Sequence, residues 1–248
     1  LYDSMNLLDR EIRTSDRLRE QTERMQEEWI ANITHDLKTP LSPIRGYAEL
    51  MQEPGSTKQE QYGHYARIIL KNTSYMEALI DDLKLTYQLK NGMVPMKKEE
   101  QNLVRFLREL VIDILNTPEY EQRRILFTCT RETILFSFDP TLLTRAFRNL
   151  ILNAFLHGEA DTEAALHICQ EGTMIQITVS DNGKGIPEKD QENLFRRYYR
   201  GTGTDEKTEG TGLGLAIVKN IVSLHKGTIS VSSIPGTGTA FHIRFPLS

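Results

Sequence analysis

His35 and Asp36 stand side by side, with Thr39 four residues on and prolines at 40 and 43. Around them Ile33, Leu37, Leu41, Ile44, Ala48 and Met51 recur at the spacing of one helix face. His35 lies two residues, roughly 200°, from both Ile33 and Leu37, so the spacing predicts an imidazole turned away from the packed stripe. Thr39 falls on the histidine's face one turn later. Pro40 and Pro43 each remove a backbone donor, and the helix is expected to bend just past the histidine. A lone exposed histidine usually does nothing, but one with a neighbouring carboxylate, a threonine one turn on and a proline bend reads as functional.

Three further constellations lie in the second half of the chain. Asn149 and Asn153, four apart, put two carboxamides on one face of an otherwise apolar segment, Leu150 to Phe155. Buried carboxamides cost free energy unless partnered, so the pair suits either a ligand or hydrated cation, or two satisfied core hydrogen bonds. Asp181-Asn182-Gly183-Lys184-Gly185 leaves a strand at a sharp turn, with a carboxylate at the strand end and glycines that let backbone approach a ligand. An ordinary Asp-Asn-Gly turn has the same composition. Gly210-Thr211-Gly212-Leu213-Gly214 feeds directly into a helix, so unpaired N–H groups and the positive helix end face whatever lies before it, an anion-binding arrangement. Its spacing is neither a dinucleotide fingerprint nor a P-loop. Gly236-Thr237-Gly238-Thr239 reads as a hairpin loop.

The elements that must position these residues follow from composition and period. The chain has 248 residues, 39% hydrophobic and 26% charged, with 30 basic and 34 acidic side chains, which fits one to two ordinary domains and excludes bulk nucleic-acid binding. Cys129 and Cys169, with no CxxC spacing, read as small apolar fillers in a reducing compartment. No window has the apolar length of a membrane span, and the start at Leu1, in a charged helical pattern without a signal peptide, reads as a fragment of something longer.

Leu1, Met5, Leu8 and Ile12, then Leu18, Thr22, Met25 and Trp29, step at coiled-coil spacing with a phase break between them, which implies a partner helix. The helix is expected to stop at Glu53-Pro54-Gly55-Ser56. A second helix carries Tyr62, Tyr65, Ile69, Asn72, Met76, Leu79, Leu83 and Thr86 and ends at Asn91-Gly92. Two such helices make an antiparallel hairpin, and two hairpins dimerise into a four-helix bundle. Beyond Gly92, helices over 103–115, 140–157 and 215–224 alternate with strands over 125–130 and 133–138, an antiparallel pair around Glu171-Gly172 and a closing hairpin around Pro235-Gly236. The fold class is therefore an α-helical hairpin forming a dimeric four-helix bundle, followed by an α+β sandwich.

Thr34-His35-Asp36-Leu37-Lys38-Thr39-Pro40-Leu41 resembles the H box of the sensor histidine kinases of two-component systems, and Asn149-Leu-Ile-Leu-Asn153-Ala resembles their N box. Asp181-x-Gly183-x-Gly185 is similar to the first glycine box, Leu194 to Arg200 to the F box, and Gly210-Thr-Gly-Leu-Gly-Leu-Ala-Ile-Val-Lys219 to the second glycine box. The resemblance runs from about residue 25 to the end. It implies a signalling helix over 1–26, a dimerisation and histidine-phosphotransfer domain over 27–92 and a gyrase-like ATP-binding catalytic domain over 97–248.

By this resemblance His35 would attack the γ-phosphate of ATP, Asp36 would orient or deprotonate the imidazole, and Thr39 would position water for dephosphorylating the partner. Asn153 would coordinate Mg²⁺ with Asn149 in support, and Asp181 would accept from the adenine amino group beside Gly183 and Gly185. Gly210, Gly212, Leu213 and Gly214 would hold the phosphates, with His157, Arg197, Tyr198, Arg200 and Thr239 also against the nucleotide and residues from Lys184 to Thr211 as a mobile lid. The implied cofactors are ATP and Mg²⁺. The implied partners are a second copy in a homodimer and the receiver domain of a response regulator, with no nucleic acid. Such a fragment would be cytoplasmic, its upstream sensor and membrane segments missing, and the intact protein would sit in the cell membrane.

Three departures stand out: Asp36 where Glu is more frequent, Leu156 where a phosphate-binding lysine is common, and Pro43 as an extra helix breaker. The Leu156 departure leaves a second reading, a catalytically silent dimeric nucleotide-binding scaffold. A related ATPase or serine kinase fits less well, because neither needs a bundle that presents His35.

Overall fold

Long helical period gives α1 (Tyr2–Gln52) and α2 (Gln59–Lys90), described here from a computed structural model that covers residues 2–52, 59–156, 162–196, 199 and 212–247. The seam residues from Met5 to Trp29 lie outside the described side chains. No helix among the described residues is long and apolar enough to cross a membrane. The chain divides into two compact units, Leu1–Ile80 and Asp81–Ser248.

In the first unit the two helices meet where the Tyr47 and Tyr65 rings pack at 5.0 Å. The expected stripe of α2 holds throughout, from half-buried Tyr62, Tyr65, Ile69, Asn72 and Met76 to Leu79, only 2% exposed. On α1 the stripe shifts: Ile33, Leu37, Ile44, Ala48 and Met51 are half-buried as expected, but Leu41 is 49% exposed and Pro40 is buried in its place. Counting on from Ile33 at 3.6 residues per turn brings position 40 to the packed side and leaves 41 beyond it. α1 also runs on as one helix through both prolines.

The second unit opens with β1 (Glu99–Asn102), pairs it antiparallel with β3 (Leu135–Phe138), and places α3 (Leu103–Leu115) between them in sequence. β1 is wholly polar and gives no alternation to read; its partner strand makes it a strand. Asn102 then caps α3, its carboxamide oxygen accepting from the N–H of Val104 at 3.1 Å and of Ile134 at 3.2 Å.

The main sheet runs in the order β2 (Arg124–Cys129), β4 (Glu163–Glu171), β5 (Met174–Asp181), β7 (Gly238–Pro246), β6 (Thr228–Ile234), with β2 parallel to β4 and the rest antiparallel. Leu166, Ile168, Ile175, Ile177, Val179, Phe241, Ile243 and Phe245 alternate onto one buried face. α4 (Pro140–Leu156) and α6 (Gly214–Leu224) cover it and pack on each other. α5 (Glu188–Gln191), a single turn too short to show a period, is the other element that the sequence hides. Both cysteines are half-buried rather than core fillers; Cys129 ends the edge strand β2, and its Sγ lies 3.7 Å from the Glu132 carboxylate and 3.8 Å from Arg108.

Within this unit Asp82, near the end of α2, pairs with Arg145 of α4, and its carboxyl is pushed up by burial against the opposing pull of the guanidinium. One turn on, Thr86 is 4% exposed and its hydroxyl has no hydrogen-bond partner among the described residues. An orphaned buried hydroxyl is a destabilising feature. Thr86→Val keeps the shape and removes the orphan, so it is expected to raise stability by about 1 kcal/mol, read as a higher urea midpoint for this unit. A lower midpoint would mean that the hydroxyl is satisfied in solution.

Candidate functional site

His35 projects from α1 with its side chain 77% exposed, as its position off the stripe requires, whereas the neighbouring Asp36 side chain is 12% exposed. The ring turns Nδ1 toward Asp36 Oδ1 at 3.4 Å, which leaves Nε2 as the outward nitrogen. Thr39 sits on the same side, and its hydroxyl donates to the carbonyl of His35 at 3.0 Å. Thr34 and Ser42 bond back to the carbonyls of Ile30 and Lys38 in the same way, at 2.7 Å and 3.3 Å. Such back-bonding loosens a helix locally, and here it flanks two prolines that leave the carbonyls of Asp36 and Thr39 without their usual helical donors. α1 is thus a continuous helix with weakened backbone bonding beside the histidine.

In the second unit Asn149 and Asn153 lie half-buried on α4 between Leu150, Ile151, Ala154 and Phe155, all at most 5% exposed. Asn149 donates to the carbonyl of Gly214 at 3.5 Å, across from the first turn of α6. A Cβ on Gly214 would lie 3.6 Å from the Asn149 carboxamide, an ordinary contact, so the start of α6 lies directly against that side chain. Asn149 thus has one hydrogen-bond partner within the unit, while no group among the described residues hydrogen-bonds Asn153. Its carboxamide oxygen is the neutral hard donor that Mg²⁺ takes alongside phosphate and water. Gly212 and buried Leu213 lead into α6, whose N-cap makes no side-chain hydrogen bond, so its first N–H groups are not consumed by a cap.

Asp181 closes β5, and its Oδ1 accepts from the N–H of Gly183 at 2.9 Å, so one carboxylate oxygen already shapes the turn. The third glycine turn proves to be more than a hairpin loop. Thr239 pairs with Asp181 in the strand register, and a Cβ on Gly238 would fall 2.0 Å from the Asp181 carbonyl. Gly185, at φ +67°, faces the carbonyl of Ile234 at a virtual Cβ distance of 2.1 Å. Lys184 in turn accepts from the N–H of Gly236 at 2.7 Å. The structure thus brings Asp181, Gly183, Gly185 and Thr239 together as two interlocked turns.

Two residues missed by sequence reasoning hold this junction. The Ser233 hydroxyl meets Thr239 Oγ1 at 2.9 Å, donates to the carbonyl of Gly238 at 2.8 Å and accepts from the N–H of Ile186 at 2.8 Å. Gln191 donates to the carbonyls of Ile186 and Ser233 at 2.8 Å and 2.9 Å, tying α5 to β6. A serine on the inward side of β6, after Ile229 and Val231, was the available signal.

The expected lid divides accordingly. Residues 184–196 are fastened to β6, with Phe195 edge-on to Phe241 at 6.3 Å and under Lys219 at 5.9 Å. Tyr199 donates to buried Asp190 at 2.7 Å, a bond that raises the phenol's pKa. His157, Arg197, Tyr198, Arg200 and Gly210 lie outside the described residues.

Residues 25–92 match the His Kinase A (phospho-acceptor) domain, and residues 138–248 match the histidine kinase-, DNA gyrase B- and HSP90-like ATPase. The chain is 39% identical over 246 residues to the sensor histidine kinase YvrG of Bacillus subtilis (strain 168), covering 99% of this chain and 42% of that protein. It is 32% identical over 232 residues to the sensor protein kinase WalK of Staphylococcus aureus, covering 92% and 55%. The chain spans about half the length of these relatives. Its fold is similar to the Acinetobacter baumannii histidine kinase AdeS, with a TM-score of 0.69, 20% identity and coverage of 86% of this chain and 98% of that one. It is also similar to the histidine kinase ThkA, solved in complex with the response regulator protein TrrA, with a TM-score of 0.68, 19% identity and coverage of 89% and 61%.

The interlocked turns give a direct test. Gly185→Ala forces a side chain into a left-handed backbone and against the Ile234 carbonyl. It is expected to cost about 2–3 kcal/mol of stability and to weaken adenine-nucleotide binding, measured by urea unfolding and by calorimetric titration with ADP. Unchanged binding and stability would show that the two turns are not tied together as described.

Proposed function

With both regions matched, the chain belongs to the sensor histidine kinases of two-component systems, and on that premise we propose that it transfers the γ-phosphoryl group of ATP to His35 and from there to an aspartate of a response regulator. The observation that carries the proposal is His35 itself: an exposed imidazole on a phospho-acceptor helix, with a half-shielded carboxylate on its Nδ1 side. A carboxylate there favours the tautomer that keeps the proton on Nδ1 and leaves the Nε2 lone pair to attack. The N–P bond forms at Nε2 as the bond from Pγ to the β,γ-bridging oxygen breaks, and ADP leaves. Asp36 offsets the positive charge that develops on the ring.

In the second unit Asp181, at the end of β5, would accept from the adenine amino group, and the N–H groups at the start of α6 would suit the phosphates. Asn153 would hold Mg²⁺, which when bound offsets charge on the phosphate oxygens. Asn149 fixes the approach of α6 through Gly214. Thr39, whose hydroxyl rests on the His35 carbonyl, would turn outward to orient water when the regulator is dephosphorylated. The chain is proposed to act as a homodimer and as the cytoplasmic part of a longer, membrane-anchored sensor.

The primary test is incubation with γ-labelled ATP and Mg²⁺. Acid-labile, base-stable label in wild type that is lost in His35→Gln is the expected result. Nucleotide binding without label favours the silent scaffold, for which Leu156, 43% exposed where a lysine is common, is the motivating residue. Asn153→Ala is expected to cut labelling by at least about a hundredfold with the fold intact; undiminished labelling would remove Asn153 from the metal site. Thr39→Ala is expected to keep autophosphorylation and slow regulator dephosphorylation, and equal loss of both activities would reject that division of roles.

A further inference from the structure

Polar hydrogen bonds join the packed α4 and α6 at both ends. One is the contact between Asn149 and Gly214, at the proposed nucleotide site. The other is at the opposite end of α6, where His225 caps the helix and reaches the residue that starts α4. His225 is 3% exposed. Its Nδ1 lies 2.8 Å from the carbonyl of Ile221, and its Nε2 lies 3.0 Å from the backbone nitrogen of Asp139. A carbonyl only accepts and a backbone N–H only donates, so the ring must carry its proton on Nδ1 and none on Nε2. Asp139, 6% exposed, is itself fully engaged: Oδ1 caps α4 at the N–H of Leu142, 3.1 Å, and Oδ2 takes the N–H of Lys97, 2.8 Å.

We propose that His225 is a positioning residue for the nucleotide site: its neutral ring locks the back ends of α4 and α6, which keeps Asn149, Asn153 and the start of α6 in register at the front, and its protonation releases nucleotide. The inference rests on the reading of that front end as the ATP site. A second ring proton would set two donors, Nε2–H and the Asp139 N–H, against each other. It would also draw the Asp139 carboxylate off the α4 cap or off Lys97, since a buried cation needs an acceptor. The groups that face the ring are Asp139 from the α4 end, Lys98 from the preceding segment and the Phe245 ring of β7, edge-on at 6.1 Å. Burial, the largest influence, and Lys98 lower the imidazole pKa; the Ile221 carbonyl and Asp139 raise it, and the balance is downward.

A histidine held below its ordinary value of about 6.5 stays neutral in the folded chain while the unfolded chain protonates. Its contribution is therefore intact at neutral pH and is lost as the pH falls below about 6.5 and through the depressed folded value.

The test is ADP affinity of the whole chain by calorimetry from pH 5 to 8 for wild type, His225→Gln and His225→Phe. The glutamine amide can still accept from Asp139 and does not titrate. Wild type is expected to lose about tenfold more affinity than His225→Gln between pH 7.5 and 5, a comparison in which protonation of the nucleotide cancels. His225→Phe is expected to bind several-fold more weakly even at pH 7.5. Identical pH profiles for wild type and His225→Gln, or wild-type binding by His225→Phe, overturn the proposal. Imidazole nitrogen shifts of wild type require no variant to fold: a ring found as the Nε2–H tautomer, or titrating at or above about 6.5, also overturns it. Wild type that binds no nucleotide at any pH defeats the ATP-site reading and this inference together, whereas binding with an unshifted profile defeats this inference alone.

Discussion

The second unit depends on how near α6 can lie to α4 while both stay on the sheet. Ile217 and Ile221 of α6 are wholly buried, and Leu143, Phe147, Leu150 and Ile151 of α4 are at most 1% exposed. Each such side chain contributes roughly 1.5–3 kcal/mol by leaving water, so the pair has no freedom to separate without a large loss. Polar contacts then set position within that tight packing. Gly214 brings α6 against Asn149 at one end, and His225 joins its other end to Asp139. The start of α6, whose N-cap makes no side-chain hydrogen bond, is held in place by this apolar packing.

The phospho-acceptor site is organised differently. His35, Asp36 and Thr39 are related by helical geometry alone, one and four residues apart, so α1 is sufficient to assemble them. Nothing needs to be brought from a distance. The prolines and the hydroxyls of Thr34, Thr39 and Ser42 modify only local backbone bonding. A site of this kind can be carried on a helix with little core of its own, which suits the proposed transfer through an exposed imidazole.

At the end of the sheet the constraint is crowding. Gly185 and Gly238 sit where backbone carbonyls leave no space for a Cβ, and Ser233 and Gln191 satisfy the polar groups that such close turns expose. The Asp181 turn is therefore a supported structure rather than a loose loop. Such rigidity suits the proposed contact of its carboxylate with one edge of a flat base.

Much of this was legible in the chain because helical and strand periods are local properties. The exposure of His35, the two long helices, the inward rows of β4, β5 and β7 and the glycine turns all follow from spacing, while the family's motifs are read by resemblance. Other features were decided only by tertiary structure. β1 has no apolar alternation and exists because β3 offers it a partner. Pro40 rather than Leu41 faces inward on α1, because the packed side follows 3.6 residues per turn. The support given by Ser233, the double engagement of Asp139 and the tautomer of His225 join residues 6, 42 and 86 positions apart. Period can say which face a residue occupies, but not which distant backbone group will meet it there, since that depends on how helices and strands of different length pack over one core.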